Sequence, residues 1–523
     1  MNTELRRMRD TLQSLKGTYS ELNEFDSNGL FDNISVNLEE IQDTSKPIFS
    51  MRRSFRVSWG PNGTYVHRSK KNVRPIYTSF IARTTPSRIA KASQRDIVKF
   101  RKVLIVSEDD VHIKERISKS LELIFEHSTF GQEDDTPYII PAKLSFMDFI
   151  SVFDTKIIDE HENLTWKLCH ALWDDLQIPS EHYDSMSLDK VTKDCRKARI
   201  SKWFQIANEL KMADHLKLSG YSNDDTDLIF AHLTSKQISK AVSIAIKNRE
   251  FHLASLISQS YGNDYVKECM KQQLDHWKDT EVDKLISPNH LKLYELLSGN
   301  VFAITKGLDW RTTISMQMWY GCRLDDSFDE ALNTYDEARR YSEEISTPFV
   351  WYNHVKDNDN WNYLDSNKVT FDLHYHLMKL STDPTHSLEE ALHPRTNQVA
   401  PLDYRITWLL HYMIARILCI RDFSDSEVMV DQITLKFIFE LETLGIWQWA
   451  VFIAMFINHL EVRKNILCEL LNRYVHQIPK EKAENFQNFA IRTMRLKEEW
   501  LLESQEVFSK YKEVPGRKRK FSY

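Results

Sequence analysis

The sequence predicts an all-α protein, an irregular helical solenoid that carries one short three-stranded β element near its N-terminus. Three observations predict it. Glycine and proline total 26 of 523 residues, about 5% where soluble proteins average near 12%, and sheet-rich folds need those residues for their tight turns. Long stretches rich in Leu, Ile, Lys and Glu place apolar residues three and four apart, the helical period. Alternation with a period of two is confined to one segment, residues 51–107.

Hydrophobic residues make up 42% and charged residues 28%, ordinary values for a folded, soluble protein with ample core. The six cysteines, at 169, 195, 269, 322, 419 and 468, form no C-x-x-C pair. That is neither a zinc pattern nor a disulfide framework, and it points to a reducing compartment. The first thirty residues contain no apolar signal core. The longest apolar run, from Gly445 to Ile457, is interrupted by Gln448 and is too short for a bilayer, so it reads as a buried helix. A soluble intracellular protein is expected.

In chain order, residues 1–50 open with Leu5, Met8, Leu12 and Leu15 at helical spacing and continue as a polar stretch, read as a largely disordered arm. Residues 51–110 are different. Phe55, Val57 and Trp59 alternate with Arg56 and Ser58, and Asn62-Gly63 marks a hairpin turn whose return strand begins at Tyr65 and Val66. Val103, Leu104, Ile105 and Val106 are the expected third strand. From Met51 to Val103 there are fourteen Lys or Arg and one acid, Asp96, a local net of +13 in a chain of net −6. With no other sheet expected, so small a meander has open edges and is marginal alone. Three readings stay open: edge pairing with a partner's sheet, a nucleic-acid surface of cations and aromatics, or a solvated loop around a structural hairpin.

Residues 111–512 read as one helical block. Ala241, Ile244 and Ala245 form one apolar stripe, and Leu253, Leu256 and Ile257 the next. Ser387 with Glu390 and Ser424 with Glu427 have capping-box spacing. No fixed repeat period emerges. Residues 513–523 are a basic tail containing Arg517-Lys518-Arg519-Lys520.

Signatures of chemistry are missing from the sequence. It contains no phosphate-binding glycine loop, no H-E-x-x-H and no G-x-S-x-G elbow. His374 and His376, two apart, project about 200° from each other on a helix, unsuited to sharing a metal, and are expected at the surface or half-buried. Asp109-Asp110, Asp134-Asp135 and Asp325-Asp326 read as solvated loop acids. The runs Trp310, Met316, Met318, Trp319, Tyr320 and Trp447, Trp449, Phe452, Phe456 read as helix packing rather than a cofactor box. Neither catalysis nor a cofactor is expected.

Several runs carry a family resemblance. Gly307-Leu308-Asp309-Trp310-Arg311 leading to Met318-Trp319-Tyr320-Gly321 resembles the "LDW…LWYG" segment of the helical nucleoporins released from the C-terminal part of the autoproteolysed nucleoporin precursor. Leu402-Asp403-Tyr404-Arg405 through Leu410 is similar to its "DYRLSW.L", and Glu440-Leu441-Glu442 through Phe452 to its "QLE..GLW.WAIFV" helix. Ser54 to Gly63 resembles its "RSFRVGWGPNG", and Leu253 to Gln259 its "LA.LLSQ". The matches run in order from about residue 50 to 512.

This resemblance implies an ancestral-coatomer-element fold, with a trunk turning back under a crown placed near 186–305, in a scaffold subunit of the nuclear pore. It implies that Phe55, Val57, Trp59, Tyr65, Val66, Val103, Leu104 and Ile105 complete a six-bladed propeller subunit shared with the COPII coat. It also implies that the crown binds another helical nucleoporin of the Y-shaped complex, with Ala241, Ile244, Leu253 and Leu256 near that contact. Roles in nucleocytoplasmic transport and mRNA export follow, with no small-molecule substrate and only indirect membrane contact. The alternatives are a COPII-type coat subunit or a nucleic-acid-binding helical protein using residues 51–103. Relatives continue beyond the region matching Glu498 to Glu503, and no autoproteolytic domain precedes the chain. A processed half, a short form or a truncated form is therefore expected.

Overall fold

The computed structural model describes residues 58–60, 64–68, 98–102, 113–152, 160–176, 178, 185–218, 225–260, 264–354, 370–398, 403–475 and 490–513. The expected arm at 1–50 and the tail beyond residue 513 lie outside them. Strands β1 (Ser58–Gly60), β2 (Thr64–Arg68) and β3 (Val98–Lys102) form an antiparallel sheet in the order β1-β2-β3. The hairpin closes where expected, with Gly60 opposite Thr64. The third described strand is Val98–Lys102, where Val98 and Phe100 alternate with Lys99 and Arg101 and the register sets Phe100 opposite Val66, while the expected strand residues Val103–Val106 lie outside the described residues. A period-2 segment can match apolar with apolar across the ladder, which a continuous apolar run does not specify. Phe55, Val57, Val103, Leu104 and Ile105 lie outside the described residues.

Among the described residues beyond Val111 the chain is mostly helical. After α1 (Ile113–Glu126), β4 (Ser128–Glu133) and β5 (Thr136–Pro141) form a second antiparallel hairpin where helix was expected. Its two-residue turn is Asp134-Asp135, with φ of 44° and 60°, the left-handed geometry of a primed hairpin turn that aspartate tolerates better than most residues. Gly131 sits opposite Tyr138, whose ring occupies the space a Cβ would need.

Continuing along the chain are α2 (Phe146–Val152), α3 (Glu160–Trp173), α4 (Ser185–Leu218), α5 (Asp225–Thr234), α6 (Ile238–Lys247), α7 (Phe251–Gln259) and α8 (Asp264–Asp279). A 3₁₀ turn (Val282–Leu285) leads to α9 (Pro288–Leu297), then to α10 (Trp310–Met316), α11 (Phe328–Tyr341), α12 (Leu373–Thr382) and α13 (Leu388–Ala391). The last helices are α14 (Arg405–His411), α15 (Ser426–Thr443), α16 (Trp447–Ala454), α17 (Leu460–Tyr474) and α18 (Glu498–Glu513). Among the described residues, no helix is long and apolar enough to cross a membrane.

The chain divides into two compact units. One comprises residues up to Leu144 and from Leu392 onward; the other comprises Ser145–Val355 and Val369–Ala391. In the first, Phe125 of α1 and Phe130 of β4 pack edge-on against Phe452 of α16, and the buried Arg463 of α17 pairs with Glu133 at 2.7 Å. The apolar run expected as a buried helix is α16 and its flanks. In the second, Trp166 of α3 stacks on Phe149 of α2 at 4.8 Å. Asp174 accepts from the N–H groups of Phe146 and Met147 and so caps α2.

Capping follows the sequence in part. Ser387 Oγ accepts from Glu390 N at 3.3 Å, as the spacing predicts. The second candidate is displaced: α15 begins after Asp425, not after Ser424. Gly299 ends α9 with φ of +87°, and the N–H of Asn300 bonds back to the carbonyl of Glu295. A Cβ there would also stand 3.0 Å from the carbonyl of Tyr320. Gly299→Ala is therefore expected to lower stability by about 1–2 kcal/mol, read as a lowered urea midpoint with an unchanged m-value.

Candidate functional site

The motif that begins at Leu308 shows how its residues are used. Asp309 caps α10 by accepting from Arg311 N at 3.2 Å. Arg311, 5% exposed, donates from Nη2 to Asp372 Oδ2 at 2.9 Å, and Asp372 Oδ1 caps α12 by accepting from His374 N at 2.9 Å. One buried ion pair thus joins the starts of two helices. Helix α10 then widens into a π turn over Gln317–Gly321, where Cys322 N reaches back five residues to Gln317 O. The turn re-aims the aromatics of the motif. Trp319 Nε1 donates to Ser201 Oγ of α4, and Tyr320 Oη donates to Leu233 O of α5, each at 2.9 Å. Asn208 of α4 fills the gap by donating to Thr234 O and Ser315 Oγ and accepting from Thr312.

The other unit carries the same local motif, a capping aspartate followed by a π turn, without the ion pair between helix starts. Leu402-Asp403-Tyr404-Arg405 has the pattern of Leu308-Asp309-Trp310-Arg311. Asp403 accepts from Arg405 N at 3.2 Å, and a π turn over Tyr412–Ile417 ends α14, with Leu418 N bonding to Met413 O. The buried acid here is Glu440 of α15, which accepts from Tyr404 N at 3.0 Å. Burial first, then the Asp403 carboxylate, push its carboxyl well above the usual range, with Arg405 opposing. Trp408 Nε1 donates to Thr434 Oγ1 across the same helix pair. No fixed repeat period is legible in sequence, but this one element occurs twice.

Around Asp372 lies a cluster of metal-ligating residue types. His161 Nε2 and His374 Nδ1 each stand 3.5 Å from an Asp372 oxygen. Contrary to expectation, His374 and His376 are both buried rather than at the surface. They do not share a neighbour set: His374 Nε2 faces Thr165 Oγ1, and His376 Nδ1 faces His386 Nε2, each at 2.9 Å. The rings of His161 and His374 are stacked, with centroids 4.3 Å apart and planes 22° apart. Their in-plane lone pairs therefore run side by side instead of converging on a point about 2.0–2.1 Å from both nitrogens, as a metal needs. Asp372 already carries the Arg311 cation. This is a charge-balanced structural network, not a metal centre. Burial by itself would raise the Asp372 carboxyl, but Arg311 and the two histidines hold it well below the usual carboxylate range.

The residues expected to bind partners are placed as follows. In the N-terminal sheet, Trp59 is opposite Tyr65, and Val66 lies between Ser58 and Phe100. Of the helical set, Ala241 of α6 and Leu253 of α7 are buried inside this chain, while Ile244 and Leu256 are half-buried. The apolar residues these helices expose are others, Ile246 and Phe251, together with Leu285 on the 3₁₀ turn. Sequence stripes miss them because the i, i+3, i+4 positions are by construction the core face; the signal is an apolar residue standing off the stripe.

A family model described as nuclear protein 96, Nup96, matches residues 227–508, more than half of the chain. The chain belongs to the Nup96 family. Asp309, Arg311, Asp372, Asp403 and Glu440 all lie within the matched span. A nuclear pore complex protein Nup98-Nup96 of Drosophila melanogaster is 24% identical over 87% of this chain and 24% of its own length. Nuclear pore complex protein NUP96 of Arabidopsis thaliana is 23% identical over 88% of this chain and 47% of its own. Nucleoporin nup189 of Schizosaccharomyces pombe is 24% identical over 67% of this chain and 20% of its own. The chain thus spans between a fifth and about half the length of these relatives. As a Nup96-type chain it is a structural nucleoporin of the nuclear pore, not an enzyme, and its motif at Leu308–Arg311 joins two helix starts.

Proposed function

We propose that this scaffold nucleoporin docks a six-bladed propeller subunit, shared with the COPII coat, by lending it the three-strand sheet as a blade. We further propose that the face of α6 and α7 docks another helical nucleoporin of the Y-shaped complex. Transport of protein and mRNA through the pore depends on the assembly so built. The observation that carries the reading is the sheet itself. β1 and β3 each have one strand neighbour among the described residues, so both outer strands have a row of backbone groups to offer. The +13 charge of residues 51–103 suits an acidic rim on the partner. The helical contact is supported by exposed Ile246, Phe251 and Leu285 and by half-buried Ile244 and Leu256.

The test is co-expression with the propeller subunit and size exclusion. A 1:1 complex is expected, lost on deletion of residues 51–107 while the helical units stay folded. Co-elution of the deleted form would end the insertion reading. A complex that weakens about 10³-fold or more between 50 and 200 mM salt would instead indicate a phosphate-binding surface.

A further inference from the structure

Lys236 occupies the turn between α5 and α6 with φ of 58°, a left-handed conformation that residues with a Cβ rarely take and that concentrates at functional sites. Two backbone bonds fix it: Lys236 N donates to Leu233 O at 3.0 Å, and Gln237 N donates to His232 O at 2.8 Å. The side chain so placed is half-buried against α4 and the π turn. Lys236 Nζ donates to Ser201 Oγ at 2.9 Å and stands 5.4 Å from the centroid of the Trp319 ring. Ser201 Oγ accepts from Trp319 Nε1 as well. One turn earlier on the same face of α4 is Lys197, whose Nζ donates to the carbonyls of Leu324 and Asp326 at 3.1 and 2.7 Å. The Asp326 carboxylate itself accepts from Arg323 N at 2.8 Å. Burial, then the Lys197 charge, lower the Lys236 amine from 10.5 to about 8. Near pH 7.4 roughly one such amine in five is unprotonated, against about one in a thousand for an ordinary lysine.

We propose that Lys236 is a carbamylation site, where the amine reversibly takes up dissolved carbon dioxide. The lone pair of Nζ attacks the carbon of carbon dioxide and an N–C bond forms. One C=O π pair moves onto its oxygen, a proton leaves Nζ for water, and the product is a carbamate anion. Loss of carbon dioxide with reprotonation runs the step backwards, and no oxidant or reductant enters. The surroundings favour this reactant over a bulkier acyl donor. Carbon dioxide has three atoms and reaches a half-buried amine. Its product is an anion, so the Lys197 ammonium that opposes a charged Lys236 balances a carbamate in the same place. The Ser201 hydroxyl, which accepts from the amine, can turn its own proton towards a carbamate oxygen. An acyl amide is neutral and gains nothing from Lys197. Uptake thus turns a repulsion between two cations into an ion pair where α4, the end of α5 and the π turn meet.

The full chain is equilibrated with isotopically labelled bicarbonate, which supplies the carbon dioxide. Carbamates are trapped by alkylation with triethyloxonium and mapped by peptide mass spectrometry. Lys236 is expected to carry at least tenfold more label than the exposed Lys240 and Lys247, and in urea that preference is expected to vanish. Lys236→Arg should lose the label at this position. Lys197→Met should lower it at least threefold, while Lys197→Arg, which keeps the cation, should retain it. Equal labelling of Lys236 and Lys240 in the folded chain overturns the site. A preference that survives in urea also overturns it, since the cause is then the local sequence and not the fold. Undiminished label in Lys197→Met overturns the part given to Lys197. The comparison among lysines of the unaltered chain decides the site even where a variant fails to fold.

Discussion

Arg311→Met is expected to destabilise the unit comprising Ser145–Val355 and Val369–Ala391 by about 3–5 kcal/mol, the cost of leaving a buried charge without its partner. The magnitude follows from where Asp372 is. Its side chain has no exposure, and Arg311 leads the groups that hold its carboxyl low against the effect of burial, so the variant removes the main compensation for a fully buried charge. It also caps α12, so disturbing it loosens a helix start as well as a pair. Removing the charge at both ends should hurt less. In Arg311→Met/Asp372→Asn the amide oxygen can still accept from His374 N, and no ion is stranded. Hydrogen exchange of peptides covering residues 310–316 and 373–382 reads this unit without assuming that the whole chain unfolds at once. If the double variant is no more stable than Arg311→Met alone, the ion pair is not what holds these two helices.

Acidification from pH 7 to pH 5 is expected to weaken the same unit by about 2 kcal/mol through His376 alone. Burial, then the neighbouring His386, lower its imidazole from 6.5 to about 4, with Asp372 opposing. A folded value below the unfolded one means that the stability is whole above about pH 6.5. It drains away as pH falls through the window towards 4. His374 adds to this in the same direction, since burial and His161 push it well below the ordinary range. In the other unit Glu440 acts oppositely: its raised carboxyl favours the fold in acid and loses that contribution as pH rises through its folded value. Denaturant titrations followed by hydrogen exchange at pH 7 and pH 5 should show peptides around 373–382 losing protection first. His376→Gln should remove about half of that pH dependence and leave the part that His374 carries. Equal losses in wild type and variant would assign the acid sensitivity elsewhere.

The elements differ in how openly the sequence announces them. The hairpin around Asn62-Gly63 is legible because two residues suited to left-handed backbone are flanked by alternation. The hairpin at Ser128–Pro141 is not, since its turn is Asp134-Asp135 and its second strand contains Pro137 and Pro141, which count against a strand. Its stability comes from Phe452 and Arg463, residues more than three hundred positions away. Exposure on α6 and α7 is hard to read in the sequence for a related reason. Periodicity finds Ala241 and Leu253, which the chain keeps for its own core, and passes over Ile246 and Phe251, which it exposes. The Leu-Asp-aromatic-Arg motifs identify the family from sequence, but nothing local states that Arg311 seeks an acid sixty-one residues on.

By itself the sequence determined the helical class, the lone basic β segment and the family, since each rests on composition or on patterns a few residues long. The tertiary structure alone decided which polar residues are buried, which acid Arg311 meets, and which apolar side chains remain exposed. Those properties depend on what packs against each side chain from distant parts of the chain, and burial turns an ordinary His or Glu into a group whose charge costs several kcal/mol.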